Sequence, residues 1–190
     1  EAGLFLAEGP AVVRMALDHA RDRIVEVFAV EELVDHYIGF ECPVTVCSAE
    51  VIAALSGTQS PQGVIALCRI PEYSLTEIVQ SQQTVVVLDN ISDPGNLGTI
   101  IRTADATAAA GVLLYGNCVD PYNDKVVRSS AGSIFRVPIA TLESIADLPS
   151  SRNICALTAH REFTQTELEV TRMVRPQTWV NGSEAHGISA

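Results

Sequence analysis

At 190 residues with 47% hydrophobic content, the chain is long enough to bury a sizeable core. Its apolar runs stay short of the roughly 20 residues that cross a bilayer, and Glu1-Ala2-Gly3-Leu4 has no basic region ahead of an apolar one, so neither a membrane partner nor a signal peptide is expected. The net charge of −11 is unfavourable for nucleic-acid binding, but it says nothing of local distribution, and eleven of the twelve basic residues are Arg, whose planar fork suits phosphate.

In chain order, the first block runs from Phe5 to Ile70 and alternates β-type with helical stretches. Pro10 to Ala20 is apolar at helical spacing, with Gly9-Pro10 as its start. Ile24 to Val30 reads as a strand, Glu31 to Tyr37 as a helix closed by Gly39, and Val44 to Cys47 as a strand. Ala49 to Leu55 reads as a helix ending at Gly57, and Val64 to Cys68 as a strand. Such alternation predicts an α/β layer structure. Polar residues between Pro71 and Gln83 mark a boundary, giving a domain over 1–72, a linker over 73–83 and a second domain over 84–190.

The second block opens on Thr84-Val85-Val86-Val87-Leu88, apolar enough for a parallel strand buried on both faces. A loop from Asp89 to Gly95 leads to a helix through Ala110. The next elements are a strand Val112–Tyr115, a helix Asp124–Ala131, a short strand Ile134–Val137 and a helix Leu142–Leu148. Ile154–Leu157 and Trp179–Val180 are the last strands. The five cysteines are scattered, and no Cys-x-x-Cys or spaced His pair offers a zinc site. Reduced thiols, a cytoplasmic location and no metal are therefore expected.

Ligands of open parallel sheets bind at the carboxyl ends of strands, which directs attention to the loop after Leu88. The helix that follows it begins near Asn96, and its first N–H groups offer a place for an anion such as an RNA phosphate. Asn96 and Arg102 are about 1.7 turns apart, so regular helix geometry sends them to different faces. A second cluster, Gly182-Ser183-Glu184-Ala185-His186-Gly187-Ile188, follows a strand, and its glycines permit close backbone approach to a ligand.

The stretch from Asp89 to Ala106 resembles the first signature of the SpoU/TrmH family, RNA ribose methyltransferases of the SPOUT superfamily. It has Asn90 after the strand, then Gly95-Asn96-Leu97-Gly98, then Arg102 within Ile-Arg-Thr-Ala-Asp-Ala. Trp179 to Ser189 resembles the second signature. The resemblance implies S-adenosylmethionine as cofactor, held by Gly182, Glu184, Gly187 and Ile188, with Thr158 and Ala159 at the preceding strand end as further candidates. It implies Arg102, Asn96, Asn90 and Glu184 as the catalytic set, with Arg102 facing a developing alkoxide on the ribose.

His186 and His160 read as peripheral residues. Asp120 to Ser133 also resembles a family segment, in which small residues allow close helix packing and Arg128 faces RNA. The first block is similar to the family's ribosomal-protein-like substrate-binding domain, typical of members that act on ribosomal RNA, with Arg14, Arg21 and Arg23 as candidate RNA contacts.

The implied fold is an α/β substrate-binding domain followed by a SPOUT α/β-knot domain. The implied partners are ribosomal RNA and a second copy in a homodimer. The family's third motif, Ser-Leu-Asn before a final helix, would follow beyond Ala190, so a truncated chain with an incomplete knot is expected, as is a missing N-terminal end, since there is no initiator Met. A transfer-RNA ribose methyltransferase and a non-catalytic RNA-binding relative are the alternatives. A dehydrogenase reading needs Gly-x-Gly-x-x-Gly after the first strand, which Asp93-Pro94-Gly95-Asn96-Leu97-Gly98 does not supply.

Overall fold

Strand β1 (Leu4–Glu8) buries Phe5 and Ala7 and leaves Leu4 exposed, the period-2 alternation of a strand covered on one face. Gly9 takes φ +94°, and Pro10 then opens helix α1 (Pro10–His19), where its missing N–H costs nothing. Val12, Val13, Ala16 and Leu17 bury one stripe of that helix. Next come β2 (Ile24–Ala29), α2 (Glu31–Val34), β3 (Val44–Val46), α3 (Ala49–Leu55) and β4 (Val64–Arg69). The computed structural model describes residues 3–157, 177–182 and 187–188.

The first four strands form one sheet in the order β1-β4-β2-β3. Strand β4 is antiparallel to both β1 and β2, and β3 runs parallel to β2. Helix α2 is shorter than the sequence pattern predicts, and turns continue from it through Tyr37 to Gly39, at φ +100°.

The segment that reads as a linker carries helix α4 (Leu75–Gln80), capped by Ser74. Its composition is polar because it buries only Ile78 and Val79, which join a core with Val85, Val87, Leu113 and Val180. Strand β5 (Val85–Asp89), helix α5 (Pro94–Ala106) and strand β6 (Gly111–Tyr115) follow. The chain forms two units, Glu1–Pro71 with Asp120–Arg136, and Glu72–Val119 with Val137–Ala190.

Asp120–Arg136, although distant in sequence, thus belongs to the first unit. It carries helix α6 (Asp124–Ser129) and a 3₁₀ turn at Ser133–Phe135. Tyr122 and Phe135 pack on Phe5 with ring centroids 5.0 Å and 5.9 Å away. A Cβ on Gly132 would lie 2.5 Å from Cγ of Met15, so the close packing expected of these small residues is present. Ser129 and Ser130 donate their hydroxyls to helix carbonyls.

Ile134–Val137 is not a strand. Ala131 and Gly132 both adopt positive φ, at 49° and 92°, which ends α6 and sets the 3₁₀ turn instead. The apolar residues are buried all the same, and apolar content alone does not separate a buried turn from a buried strand. The strand lies later, at β7 (Ile139–Leu142), paired with β6. The helix expected over Leu142–Leu148 reduces to a 3₁₀ turn at Ile145–Asp147, held by a Ser144–Asp147 capping box.

Strands β8 (Asn153–Leu157) and β9 (Gln177–Gly182) complete a five-stranded, wholly parallel sheet of order β7-β6-β5-β9-β8. The α/β class expected from the sequence is the one observed. All five cysteines are free thiols, and burial pushes Cys68 up to about 12, so it stays protonated at neutral pH. No helix among the described residues is long and apolar enough to cross a membrane.

Candidate active site at the carboxyl ends of the parallel strands

The chain builds outward from β5 through β6 to β7, then returns to place β9 and β8 on the other side of β5. The reversal makes the carboxyl ends of β5 and β9 a topological switch point, where open α/β sheets bind ligands. Asp89 is paired with Gly182 and Leu88 with Asn181, so the two motifs lie side by side. Leu157, at the end of β8, pairs with Asn181 and is 48% exposed, which leaves an apolar side chain at this rim. Thr158, Ala159 and Glu184, with His160 and His186, lie outside the described residues.

Asp89 is a functional candidate that sequence reasoning missed. It is 1% exposed, and its Oδ1 accepts from Nδ2 of Asn90 at 2.6 Å. The only local signal was a carboxylate ending an otherwise apolar strand. Asn90 adopts φ +55°, a conformation Asn tolerates better than most residues. Its N–H donates to the Tyr115 carbonyl at 3.0 Å, and its Oδ1 accepts from the Asn117 N–H at 2.8 Å. Gly116 makes room for this amide, since a Cβ there would lie 2.6 Å from Asn90 Oδ1. Asn90 therefore ties the loop after β5 to the loop after β6.

Gly182 meets a closer constraint. A Cβ on it would fall 2.1 Å from the carbonyl of Gly187 and 2.4 Å from the amide of Ile188. Gly187 and Ile188 thus lie against the end of β9, and Ile188 packs against the core of the sheet. Three of the predicted cofactor residues, Gly182, Gly187 and Ile188, are brought together here.

Helix α5 starts with Pro94 at its first position, and Asp93 caps it by accepting from the Asn96 N–H at 2.7 Å. An open anion site at this helix end is therefore not what the structure has: a carboxylate already occupies it. Asn96 and Arg102 both sit within the regular helix, about 9 Å apart along its axis and about 120° apart around it. They do not converge through the helix backbone. Arg102 is exposed and, among the described residues, its side chain makes no hydrogen bond or ion pair. Thr99 and Thr103 beside it donate their hydroxyls to the carbonyls of Gly95 and Thr99.

The four predicted RNA-facing arginines all lie in the first unit. Arg128 is committed internally, with NH1 3.4 Å from Glu8 and NH2 3.2 Å from Asp124. Glu8 also accepts from the hydroxyls of Ser56 and Thr58. The Arg128 guanidinium is thus paired with two carboxylates of its own unit. Arg23 lies in the 3₁₀ turn Arg21–Arg23, while Arg14 and Arg21 are exposed.

A wholly parallel sheet with two glycine-bearing loops joined at its switch point defines a ligand-binding α/β unit. Residues 83–190, just over half of the chain, match the family model described as the SpoU rRNA Methylase family. The chain belongs to that family. It is 37% identical over 146 residues to an uncharacterized tRNA/rRNA methyltransferase of Synechocystis sp., covering 75% of this chain and 53% of that protein. It is 35% identical over 138 residues to the 23S rRNA (guanosine(2553)-2'-O)-methyltransferase RlmP of Bacillus subtilis, covering 71% and 53%. The chain spans about half the length of these curated relatives.

Among solved structures, the AdoMet-bound rRNA methyltransferase from Sinorhizobium meliloti aligns with 98% of this chain and 73% of its own, at TM-score 0.76 and 28% identity. The SpoU methyltransferase AviRb from Streptomyces viridochromogenes aligns with 99% and 75%, at TM-score 0.82 and 23% identity, a likeness of fold.

Proposed function

We propose that this chain is part of an enzyme that methylates the 2′-hydroxyl of a ribose in RNA, ribosomal RNA above all, with S-adenosylmethionine as methyl donor. The observation that carries the reading is the pairing of Asp89 with Gly182, which joins both family motifs at one switch point. The rim there suits an adenosyl group. Peptide groups of Gly182, Gly187 and Ile188 supply donors and acceptors without intervening side chains, and Leu157 and Ile188 supply apolar surface. When bound, S-adenosylmethionine supplies an electrophilic methyl on its sulfonium.

Everything else is done by the chain. Arg102 supplies positive charge that lowers the cost of negative charge developing on the ribose oxygen as the hydroxyl proton passes to solvent. The family resemblance gives Asn96 and Glu184 the task of holding the substrate and makes Thr158 and Ala159 further cofactor residues. Asn90, fixed by Asp89 and Asn117, keeps the first loop in position.

The test is to incubate a version extended through the expected C-terminal segment with methyl-labelled S-adenosylmethionine and unmodified ribosomal RNA, then hydrolyse the RNA with alkali. A 2′-O-methyl group blocks attack on the next phosphate, so the expected result is label in alkali-resistant dinucleotides. Label in mononucleotides means base methylation and overturns the ribose assignment. No label in ribosomal or transfer RNA overturns the enzymatic reading.

The cofactor site has its own test. Gly182→Ala forces the Gly187–Ile188 backbone to move, because the new Cβ would overlap main-chain atoms. Calorimetric titration of S-adenosylmethionine is expected to show binding weakened at least about tenfold, with the circular dichroism spectrum unchanged. Wild-type affinity in the variant removes Gly182 from the site.

A further inference from the structure

Two arginines of the first unit converge on one aromatic ring. Arg14 of α1 and Arg21 of the following 3₁₀ turn place their guanidinium carbons 5.2 Å and 5.4 Å from the centre of Phe40. Arg14 is exposed on α1, and the non-helical Ala20 that ends this helix turns the chain so that Arg21, also exposed, reaches the same ring. Gly39, just before Phe40, has φ +100° with nothing within 4 Å of where its Cβ would be. A left-handed turn open to glycine thus brings the ring back over the arginines.

Both guanidinium groups are anchored by one edge only. Nε of Arg14 donates to Asp18 Oδ2 at 3.0 Å, and Nε of Arg21 donates to the Leu17 carbonyl at 3.5 Å. Among the described residues, the terminal nitrogens of both arginines donate to no protein acceptor. The Arg14 side chain is 59% exposed. Asp18 compensates one of the two positive charges that share the ring, which leaves the pair net positive. In a chain of net charge −11, such a pair is a local exception to the overall field.

We propose that Arg14, Phe40 and Arg21 form a contact for single-stranded RNA. The terminal guanidinium nitrogens take backbone phosphates, and a guanidinium plane already stacked on Phe40 gives an unpaired base a flat face to stack on. The cation–π stack fixes orientation before RNA arrives, so less side-chain freedom is lost on binding. This inference rests on RNA being the substrate, and it adds Phe40 and a mode of recognition.

The test measures binding of a fluorescent single-stranded RNA 12-mer and of a ribosomal RNA transcript at several salt concentrations. The probes are added to wild type, Arg14→Gln/Arg21→Gln, Arg14→Lys/Arg21→Lys and Phe40→Leu. The Gln pair is expected to lose at least about tenfold in affinity and to flatten the salt slope by roughly 1.5. The Lys pair keeps the salt slope but loses stacking, and Phe40→Leu loses about threefold or more on the 12-mer.

Wild-type affinity and slope in the Gln pair and in Phe40→Leu, with unaltered thermal melting, overturn the site. Equal, Phe40-dependent binding of polyglutamate overturns RNA as its partner. The outcomes separate from the enzymatic reading. Labelled methyl transfer with unaffected variants removes this site alone, whereas Phe40-dependent RNA binding without methyl transfer removes the activity and leaves the site.

Discussion

Arg102→Ala is expected to lower methyl transfer at least about a hundredfold, the usual scale for losing one electrostatic group at a reacting oxygen, with no measurable change in thermal unfolding. The separation follows from where Arg102 sits. Helix α5 buries Leu97, Gly98, Ile101 and Ala104, whereas Arg102 lies on the exposed side and, among the described residues, supports no hydrogen bond. Truncating such a side chain changes stability by about 0.5 kcal/mol or less. The neighbouring threonines are uncharged and donate their hydroxyls to helix carbonyls, so neither replaces the lost cation. Arg102→Lys refines the result: partial recovery of turnover shows that charge suffices, and none shows that the planar fork is needed. Wild-type turnover in Arg102→Ala removes the residue from the mechanism.

Arg152→Met is expected to do the opposite, destabilising the second unit while sparing the chemistry of whatever protein remains folded. Arg152 is 6% exposed, and burial lowers the pKa of its guanidinium. All five of its N–H donors are used. Nε donates to the Thr178 hydroxyl at 2.8 Å, NH1 to the carbonyls of Val79 and Ser81 at 3.2 Å and 2.6 Å, and NH2 to those of Gln83 and Gln177 at 2.6 Å each.

These acceptors lie on the segment entering β5 and at the start of β9, so one side chain ties the amino ends of adjacent strands together. Methionine fills part of the space and supplies no donor. The carbonyls left in an apolar setting cost about 3–5 kcal/mol, a drop in melting midpoint on the order of ten degrees for a chain this size. A drop of less than about 1 kcal/mol in chemical denaturation would mean that water replaces the guanidinium at those carbonyls. The candidate site lies at the opposite, carboxyl ends of the strands, so catalytic constants per folded molecule are expected to hold.

Much of this molecule is legible in short stretches of sequence, because the signals are local. Val85 to Leu88 reads as a buried parallel strand since every residue is apolar, and it is one. Gly9-Pro10 announces α1 through a positive φ followed by a fixed one, and the Pro-Gly pair after Asp93 announces α5. The Asn90-to-Arg102 and Gly182-to-Ile188 patterns marked the ligand-binding end, and the structure sets the described parts of both at the same edge of the sheet.

Other features depend on which distant segments meet, and that is a property of sheet register and packing. Nothing near Asp89 or Gly182 states that they are paired; strand order does. Asp120–Arg136 sits in sequence between two strands of the parallel sheet yet folds with the first unit, because Phe5, Glu8 and Met15 supply its packing and ionic partners. Ile134 and Phe135 are apolar enough for a strand, and two positive φ angles made them a turn. Arg152 and Phe40 had no local distinction at all. One acquired its role from carbonyls on other segments and the other from two arginines at its ring, contacts that exist only once the chain has closed on itself.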